Sequence, residues 1–268
     1  MTVPPADVAV PASVSELASG LGGGGHLTPA WRNEAGGVTF RWDGPPGTVA
    51  RFIKWNPAST GLSLAGEAAR LVWAARYTRV PEVIEHRVDD DGAELLVTVA
   101  LPGRSAVDPR WLARPDTAAS ALGAGLRALH DALPVDGCPF DWGVQARLAR
   151  VRDTGSGGGR GAGDDVGAGV IGDAERAVLA VPPPIDRLVV CHGDACAPNT
   201  LLDDAGRPVA HVDLGRLGVG DRWADLAVCA WSTQWNYGPG YEHLVYAGYG
   251  VEPDDARVAY YRLLWDRT

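Results

Sequence analysis

The sequence predicts an α+β chain in two lobes, a small antiparallel β-sheet with one helix followed by a larger, mainly helical lobe. Three observations carry that expectation. β-rich runs broken by Gly-, Pro- and Asp-rich turns fill residues 38–99. Segments of helical period dominate beyond residue 103. The composition changes between them, so the expected organisation is an N-terminal lobe over 1–97, a linker at 98–103 and a C-terminal lobe over 104–268. A chain of 268 residues is long enough for two lobes that each bury a core.

The elements follow in order. Residues 1–25 are rich in Pro, Ala and Gly and end in GLGGGG, which predicts a loosely ordered start apart from a short helix near 13–19. VTFRWDG and TVARFIKWN flank GPPG and read as a hairpin. LAGEAARLVWAAR (64–76) places Leu64, Ala68, Leu71, Val72 and Ala75 on one side of a helix. PEVIEHRVDDDGAELLVTVALPG reads as strand, DDDG turn, strand and an extended exit at Pro102-Gly103. Helices are expected over 115–132 and 142–152, and the glycine-rich stretch 153–169 reads as a mobile loop. Leu188, Val189 and Val190 form a short buried strand that ends at a polar loop. TLLDDAGRPVAHVDLG then gives strand, DDAG turn and strand, and RWADLAVCAWSTQW and PDDARVAYYRLLW give two closing helices.

Composition narrows the function classes. Hydrophobic residues at 46% and charged residues at 21% describe an ordinary globular protein. No apolar run approaches 18 residues, so no membrane span is expected. The first twenty residues carry no Lys or Arg ahead of an apolar segment, and a cytoplasmic location is expected. Cys138, Cys191, Cys196 and Cys229 have no C-x-x-C spacing and read as reduced thiols. A net charge of −9 disfavours nucleic acid and suits a cationic small molecule, or solubility alone.

The chemistry concentrates in VVCHGDACAPN (189–199). A hairpin that starts just beyond Asn199 and returns puts Asp213 near Asp194 and Asn199, so three oxygen-bearing side chains converge at the end of a buried strand. Such oxygens suit Mg²⁺, which binds through few protein groups together with substrate phosphates. His192-Gly193-Asp194, Asn199 five residues after the aspartate, and Asp213-Leu214-Gly215 reproduce the spacing of a protein-kinase catalytic loop and its metal-binding D-x-G. That pattern requires a strand lysine for phosphate and a helical glutamate to hold it. Lys54 ends ARFIK and is the only lysine of the chain; Glu67 lies in the next helix. The alternative for Lys54 is a solvated strand end, a position where arginine would serve as well. Gly36 and Gly37, in a turn between two strands, offer backbone N–H groups to an anion, or are simply a hairpin turn. His130, on an apolar helix face, reads as a packed core histidine.

Together VVCHGDACAPNTLL, HVDLGRLGVGDRWADLAV, GEAARLVWAA, CPFD and YYRLL resemble the aminoglycoside phosphotransferases, the 3′-phosphotransferase (kanamycin kinase) group above all. The resemblance runs over about 31–265 and is densest over 188–228. It implies a bilobal protein-kinase-like fold that binds ATP between its lobes. It also implies Mg²⁺-dependent transfer of the γ-phosphate to an aminoglycoside hydroxyl, which inactivates the antibiotic. Lys54 would meet the α- and β-phosphates with Glu67 as its ion-pair partner, and the linker backbone near Thr98 and Ala100 would meet adenine. Asp194 would be the base or orienting group for the acceptor, Asn199 and Asp213 the metal ligands, and His192 a support of the loop. Arg216 matches a family arginine near the acceptor and phosphate side; an ion pair with Asp225 is the alternative. The acceptor side departs from the family. Trp235 and Asn236 stand where relatives carry acidic residues, and of the chain end only Asp266 keeps a charge for a substrate amine. A kinase of another hydroxylated antibiotic or metabolite, and a silent nucleotide-binding module, are the competing readings. The expected partner is a cationic small molecule, with neither nucleic acid nor membrane, and the expected state a monomer.

Overall fold

The computed structural model describes residues 8–22, 24–33, 35–60, 63–155 and 172–268, with 151–155 as backbone only. Most of the glycine-rich stretch expected to be a mobile loop (156–169) lies outside them. The chain forms two compact units, Met1–Leu101 and Pro102–Thr268. Among the described residues no helix is long and apolar enough to cross a membrane.

The first unit contains α1 (Ala12–Gly20), β1 (His26–Arg32), β2 (Val38–Asp43), β3 (Arg51–Asn56), α2 (Leu64–Ala74), β4 (Val83–Val88) and β5 (Glu94–Val99). Its strands form one antiparallel sheet in the order β1-β2-β3-β5-β4. The register of β1 on β2 shifts between Pro29 and Trp31, where proline has no N–H for the ladder. Side chains alternate across a strand, and β3 uses the alternation to separate core from chemistry. Ile53 is fully buried with Phe40, Trp42, Leu95 and Val97, under Val14 and Leu17 of α1. Burying Val14 and Leu17 stabilises by about 1.5–3 kcal/mol each. The short helix expected near 13–19 is thus anchored on the sheet, while residues 1–7 lie outside the described residues. Lys54 projects to the opposite face.

The helix α2 begins where Ser63 accepts the Gly66 N–H at 3.4 Å and the Glu94 carboxylate accepts the Ala65 N–H at 2.9 Å. Glu67 lies in its first turn, where an acidic group suits the helix dipole.

The second unit contains β6 (Arg104–Ser105), α3 (Pro109–Leu112), α4 (Pro115–Ala132), α5 (Val144–Gly155), α6 (Asp173–Leu179), β7 (Leu188–Cys191), β8 (Thr200–Leu202), β9 (Pro208–His211), β10 (Gly218–Asp221), α7 (Trp223–Tyr237), α8 (Glu242–Tyr249) and α9 (Asp255–Arg267). The expected hairpin is β8–β9, which β6 joins in a three-stranded sheet. The strand β7 pairs with β10, an element its sequence does not announce. The CPFD segment extends that ribbon: Val219 N–H donates to Phe140 O and Trp142 N–H to Val219 O, both at 2.8 Å. Buried α7, with Leu226, Ala227, Val228 and Ala230 fully or almost fully enclosed, forms the floor beneath these strands.

Candidate active site

In the first unit, Lys54 Nζ meets Glu67 Oε1 at 2.6 Å. Glu67 is almost fully buried and Lys54 about a fifth exposed, so the carboxylate is fixed and the ammonium keeps access to the exterior. A charge-assisted hydrogen bond of this kind holds the amine in one position.

Gly36 and Gly37 do occupy the turn from β1 to β2, but the structure corrects what they offer. Gly36 N–H donates to Asn33 O at 3.3 Å and Gly37 N–H to Asn33 Oδ1 at 2.7 Å, so the turn consumes both donors. Its own geometry explains the glycines: Gly36 has φ 97°, and a Cβ on Gly37 would lie 2.0 Å from Asn56 Oδ1. Thr98 is buried between β3 and β4, and Ala100 donates its N–H to Ala50 O at 2.9 Å. The Ala100 N–H is therefore not available to a base.

In the second unit, the strand β7 delivers His192, Gly193 and Asp194 to its end. The two N–H groups that follow the strand, His192 and Gly193, donate to the carboxylate of Asp225 at 2.6 and 2.9 Å. Asp225, on α7, is completely buried and also meets His130 Nε2 at 2.9 Å; His130 Nδ1 meets the Tyr249 hydroxyl at 2.9 Å. Burial alone would raise the Asp225 carboxyl. The His130 hydrogen bond and charge, with His192 and the Gly193 N–H, outweigh it and hold the group below the usual carboxylate range.

The His192 ring spans the loop, donating from Nε2 to Val212 O at 3.0 Å and accepting the Asp194 N–H at Nδ1 at 3.3 Å. Both nitrogens are thereby committed to structure. Asn199 donates its amide to Asp194 O at 2.9 Å, which ties the two ends of the loop together. Ser232 of α7 accepts the Ala197 N–H at 3.0 Å, and Ser105 donates to Pro198 O at 2.8 Å.

Thr200 pairs with His211, and Val212 N–H donates to Asn199 O at 3.0 Å, so Val212 lies opposite Asn199 and Asp213 is the next residue along the chain. The main chain of Asp194 and of Val212, the neighbour of Asp213, is thus tied to Asn199. Among the described non-glycine residues only Asp213 has a positive φ, 63°. Aspartate tolerates this left-handed region better than most residues, and a strained backbone at such a position is a mark of functional sites. Asp194 Oδ1 is buried without a hydrogen-bond partner. A buried carboxylate oxygen left without a donor is costly unless a substrate supplies one.

A family model described as "Phosphotransferase enzyme family" matches residues 38–261. The chain belongs to this family. A curated aminoglycoside 3′-phosphotransferase from Streptomyces fradiae is 36% identical over 230 residues, 82% of this chain and 85% of that protein. The crystal structure of an aminoglycoside-3′-phosphotransferase of type VIII superposes with a TM-score of 0.75 at 30% identity, covering 96% of this chain and 98% of the other. An aminoglycoside phosphotransferase from Streptomyces rimosus, solved with ADP and streptomycin, gives a TM-score of 0.69 at 27% identity, with 95% and 97% covered. These solved phosphotransferases share the α+β architecture expected from the sequence.

Trp235 is half exposed and stacks on Trp265 with ring centroids 5.7 Å apart; Trp231 lies 4.8 Å from Trp235. Asn236 turns back on its own helix and donates to Ser232 O at 2.8 Å. Asp266 is exposed but shares its charge with Arg267 at 3.3 Å. Arg216 is exposed and lies over the Trp142 ring at 5.8 Å, while Asp225 is taken by His130 and two N–H groups.

Sequence reasoning gave no role to His130 beyond packing, nor to Asp225, Ser232 or Ser105 in holding the loop. A signal was present for two of them. A histidine on an apolar helix face and an aspartate inside ADLAVCA must each find a partner when buried.

Proposed function

We propose that this phosphotransferase transfers the γ-phosphate of ATP to a hydroxyl of an aminoglycoside, with Mg²⁺ bound at Asn199 and Asp213. The observation that carries the reading is the HGD loop, where Asp194 presents a buried oxygen without a hydrogen-bond partner and Asn199 donates to the Asp194 carbonyl. In the first unit Lys54, steadied by Glu67, holds the α- and β-phosphates. In the second, Asp194 accepts a hydrogen bond from the acceptor O–H and aims the oxygen at the γ-phosphorus. The new P–O bond forms as the bond to the β-phosphate oxygen breaks, ADP leaves, and the hydroxyl proton passes to Asp194. Little covalent chemistry is asked of the protein beyond position and charge.

The donor set fits a hard divalent ion. One amide oxygen and one carboxylate are what Mg²⁺ takes when phosphates complete its shell, and the left-handed backbone of Asp213, one residue beyond the Val212–Asn199 hydrogen bond, supports that assignment. Bound there, Mg²⁺ would neutralise charge on the phosphates during transfer. Removing divalent ions is expected to abolish turnover and Mg²⁺ to restore it; restoration by Zn²⁺ and not Mg²⁺ would contradict this ligand set.

An assay of ADP release over aminoglycosides and other hydroxylated antibiotics, with mass spectrometry of the product, tests the reaction. A phosphorylated aminoglycoside is expected; turnover confined to another acceptor class would replace that part of the proposal. The acceptor meets Arg216 on its phosphate side, and Trp235, Asn236 and Asp266 on its amine side. A tryptophan face holds a cation for about 0.5–2 kcal/mol but cannot pair with a ring ammonium as a carboxylate does. A narrower range of aminoglycosides is therefore expected, widened by Trp235→Glu and weakened by Asp266→Ala. A broad wild-type profile over kanamycins and neomycins, with kcat/KM unmoved by either change, contradicts this.

A further inference from the structure

Asn199 is held on one side by its own loop and hairpin. Its N–H donates to Cys196 O at 3.0 Å, its carbonyl accepts the Val212 N–H at 3.0 Å, and its amide donates to Asp194 O at 2.9 Å. The peptide before it is fixed from a different element. Pro198 O accepts the Ser105 hydroxyl at 2.8 Å, and Ser105 Oγ also takes the Val107 N–H at 3.3 Å. Ser105 belongs to β6, which is two residues long and lies at the edge of its sheet, beside β8. So short an edge strand opens readily unless its ends are tied down.

Both ends are tied. Gly103, with φ 114°, lets the chain run so close to the sheet that a Cβ there would lie 3.0 Å from Val209 Cγ2 and 3.1 Å from Leu202 O. At the other end Ala106 N–H donates to Thr200 O at 2.9 Å, and Ala106 O accepts the Tyr237 hydroxyl at 2.9 Å. Ala106 is fully buried, so its carbonyl needs that donor. Tyr237 is the last residue of α7, and its ring meets Tyr241 edge-on at 6.3 Å. Burial pushes its phenol up, so near neutral pH the hydroxyl stays a donor. A phenylalanine would fill the same space. The hydroxyl is spent on one main-chain carbonyl, 131 residues away in sequence.

We infer that Tyr237 is a positioning residue for Asn199. Its hydroxyl clamps the strap Arg104–Ala106, and the strap, through Ser105, sets the Pro198–Asn199 peptide and with it the Asn199 side-chain oxygen. The inference rests on the reading of Asn199 as a Mg²⁺ ligand. Groups that stand behind a metal ligand and orient it are worth about 10–100-fold in metal affinity or activity. Tyr237 acts through two hydrogen bonds and belongs at the lower end of that range.

The test is binding of Mn²⁺, a paramagnetic substitute for Mg²⁺, to the full chain with ADP. Water-proton relaxation distinguishes Mn²⁺ held by the protein from Mn²⁺ held by ADP alone, and Mg²⁺ titrations of turnover run beside it. Tyr237→Phe keeps the ring and removes the donor. It is expected to weaken Mn²⁺ binding, and to raise the half-activating Mg²⁺ concentration, by about 10-fold. ADP affinity without metal should not change, since Lys54 is untouched. Ser105→Ala should lose at least as much, and Ser105→Thr, which keeps a hydroxyl, should stay near wild type. The double variant should be no worse than Ser105→Ala alone, because both groups lie on one route. Asn199→Ala separates the inference from the reading beneath it. If that change leaves Mn²⁺ binding unmoved, the metal assignment fails and the inference falls with it. If Asn199→Ala weakens binding while Tyr237→Phe lowers only the Tm, Tyr237 is a prop for the fold and the inference alone is overturned. Additive losses in the double variant overturn it too, by placing Tyr237 off the Ser105 route.

Discussion

Asp194→Asn is expected to lower turnover by about 10²–10⁴-fold, the usual cost of losing one positioned base. The substitution keeps size and shape, so the network around it should persist: His192 Nδ1 on the Asp194 N–H, and the Asn199 amide on the Asp194 carbonyl, both use main-chain atoms. What changes is Oδ1, the buried oxygen without a protein donor. An amide there can no longer take a proton from the acceptor. Nucleotide affinity should stay within a few-fold of wild type, since Lys54, Asn199 and Asp213 are untouched. Fluorescent-nucleotide titration beside steady-state turnover checks both halves. Turnover within a few-fold of wild type would remove Asp194 from the mechanism.

Gly193→Ala should be nearly as damaging, by a different route. Gly193 has φ 84°, and an added Cβ would sit 2.3 Å from the Arg216 carbonyl oxygen and 2.6 Å from its carbonyl carbon. Backbone atoms cannot swing aside as a side-chain tip can, so the loop or the Asp213–Arg216 segment must shift by about 1 Å. Misplacement of that size costs about 10²-fold in rate. The left-handed conformation adds to the loss, and stability should fall by about 1–3 kcal/mol. The Gly193 N–H to Asp225 bond is strained by the same movement. Unchanged kcat together with an unchanged Tm would show that the close approach is not needed.

Much of this was legible in the sequence, for local reasons. The helix α4 runs over the residues expected because Pro115 pre-sets its first turn and Pro134 follows its end. The hairpin β8–β9 that separates Asn199 from Asp213 was readable because its DDAG turn lies between two short apolar runs. Three elements gave no local signal. The strand β10 is GVGD, with two glycines that weaken any strand pattern, and forms because β7 offers an edge some thirty residues away in sequence. The helix α8 follows Gly238-Pro239-Gly240, which reads as a long turn, and owes its place to packing against α4 and α7. The left-handed backbone of Asp213 is likewise invisible to pattern. The glycine turn left two readings open, because a Gly-Gly pair announces a turn but not which atoms will consume its N–H groups. His130 and Asp225 lie 95 residues apart, and only the packed helices reveal that they meet.

The lone lysine gives the molecule a built-in clock. Lys54 lies inside β3, paired on one side with Thr39 and on the other with Leu96. A lysine-directed protease therefore has a single place to cut the entire chain, in the middle of a sheet it cannot enter while the strands are joined. Cleavage into two fragments, 1–54 and 55–268, would count openings of the first unit and ignore those of the second. Where opening and reclosing are fast, the rate of that one cut reads the equilibrium between closed and open sheet. A nucleotide gripped by Lys54 would slow it in proportion to occupancy. One chromatogram would then report both how often the sheet comes apart and how tightly it holds its ligand.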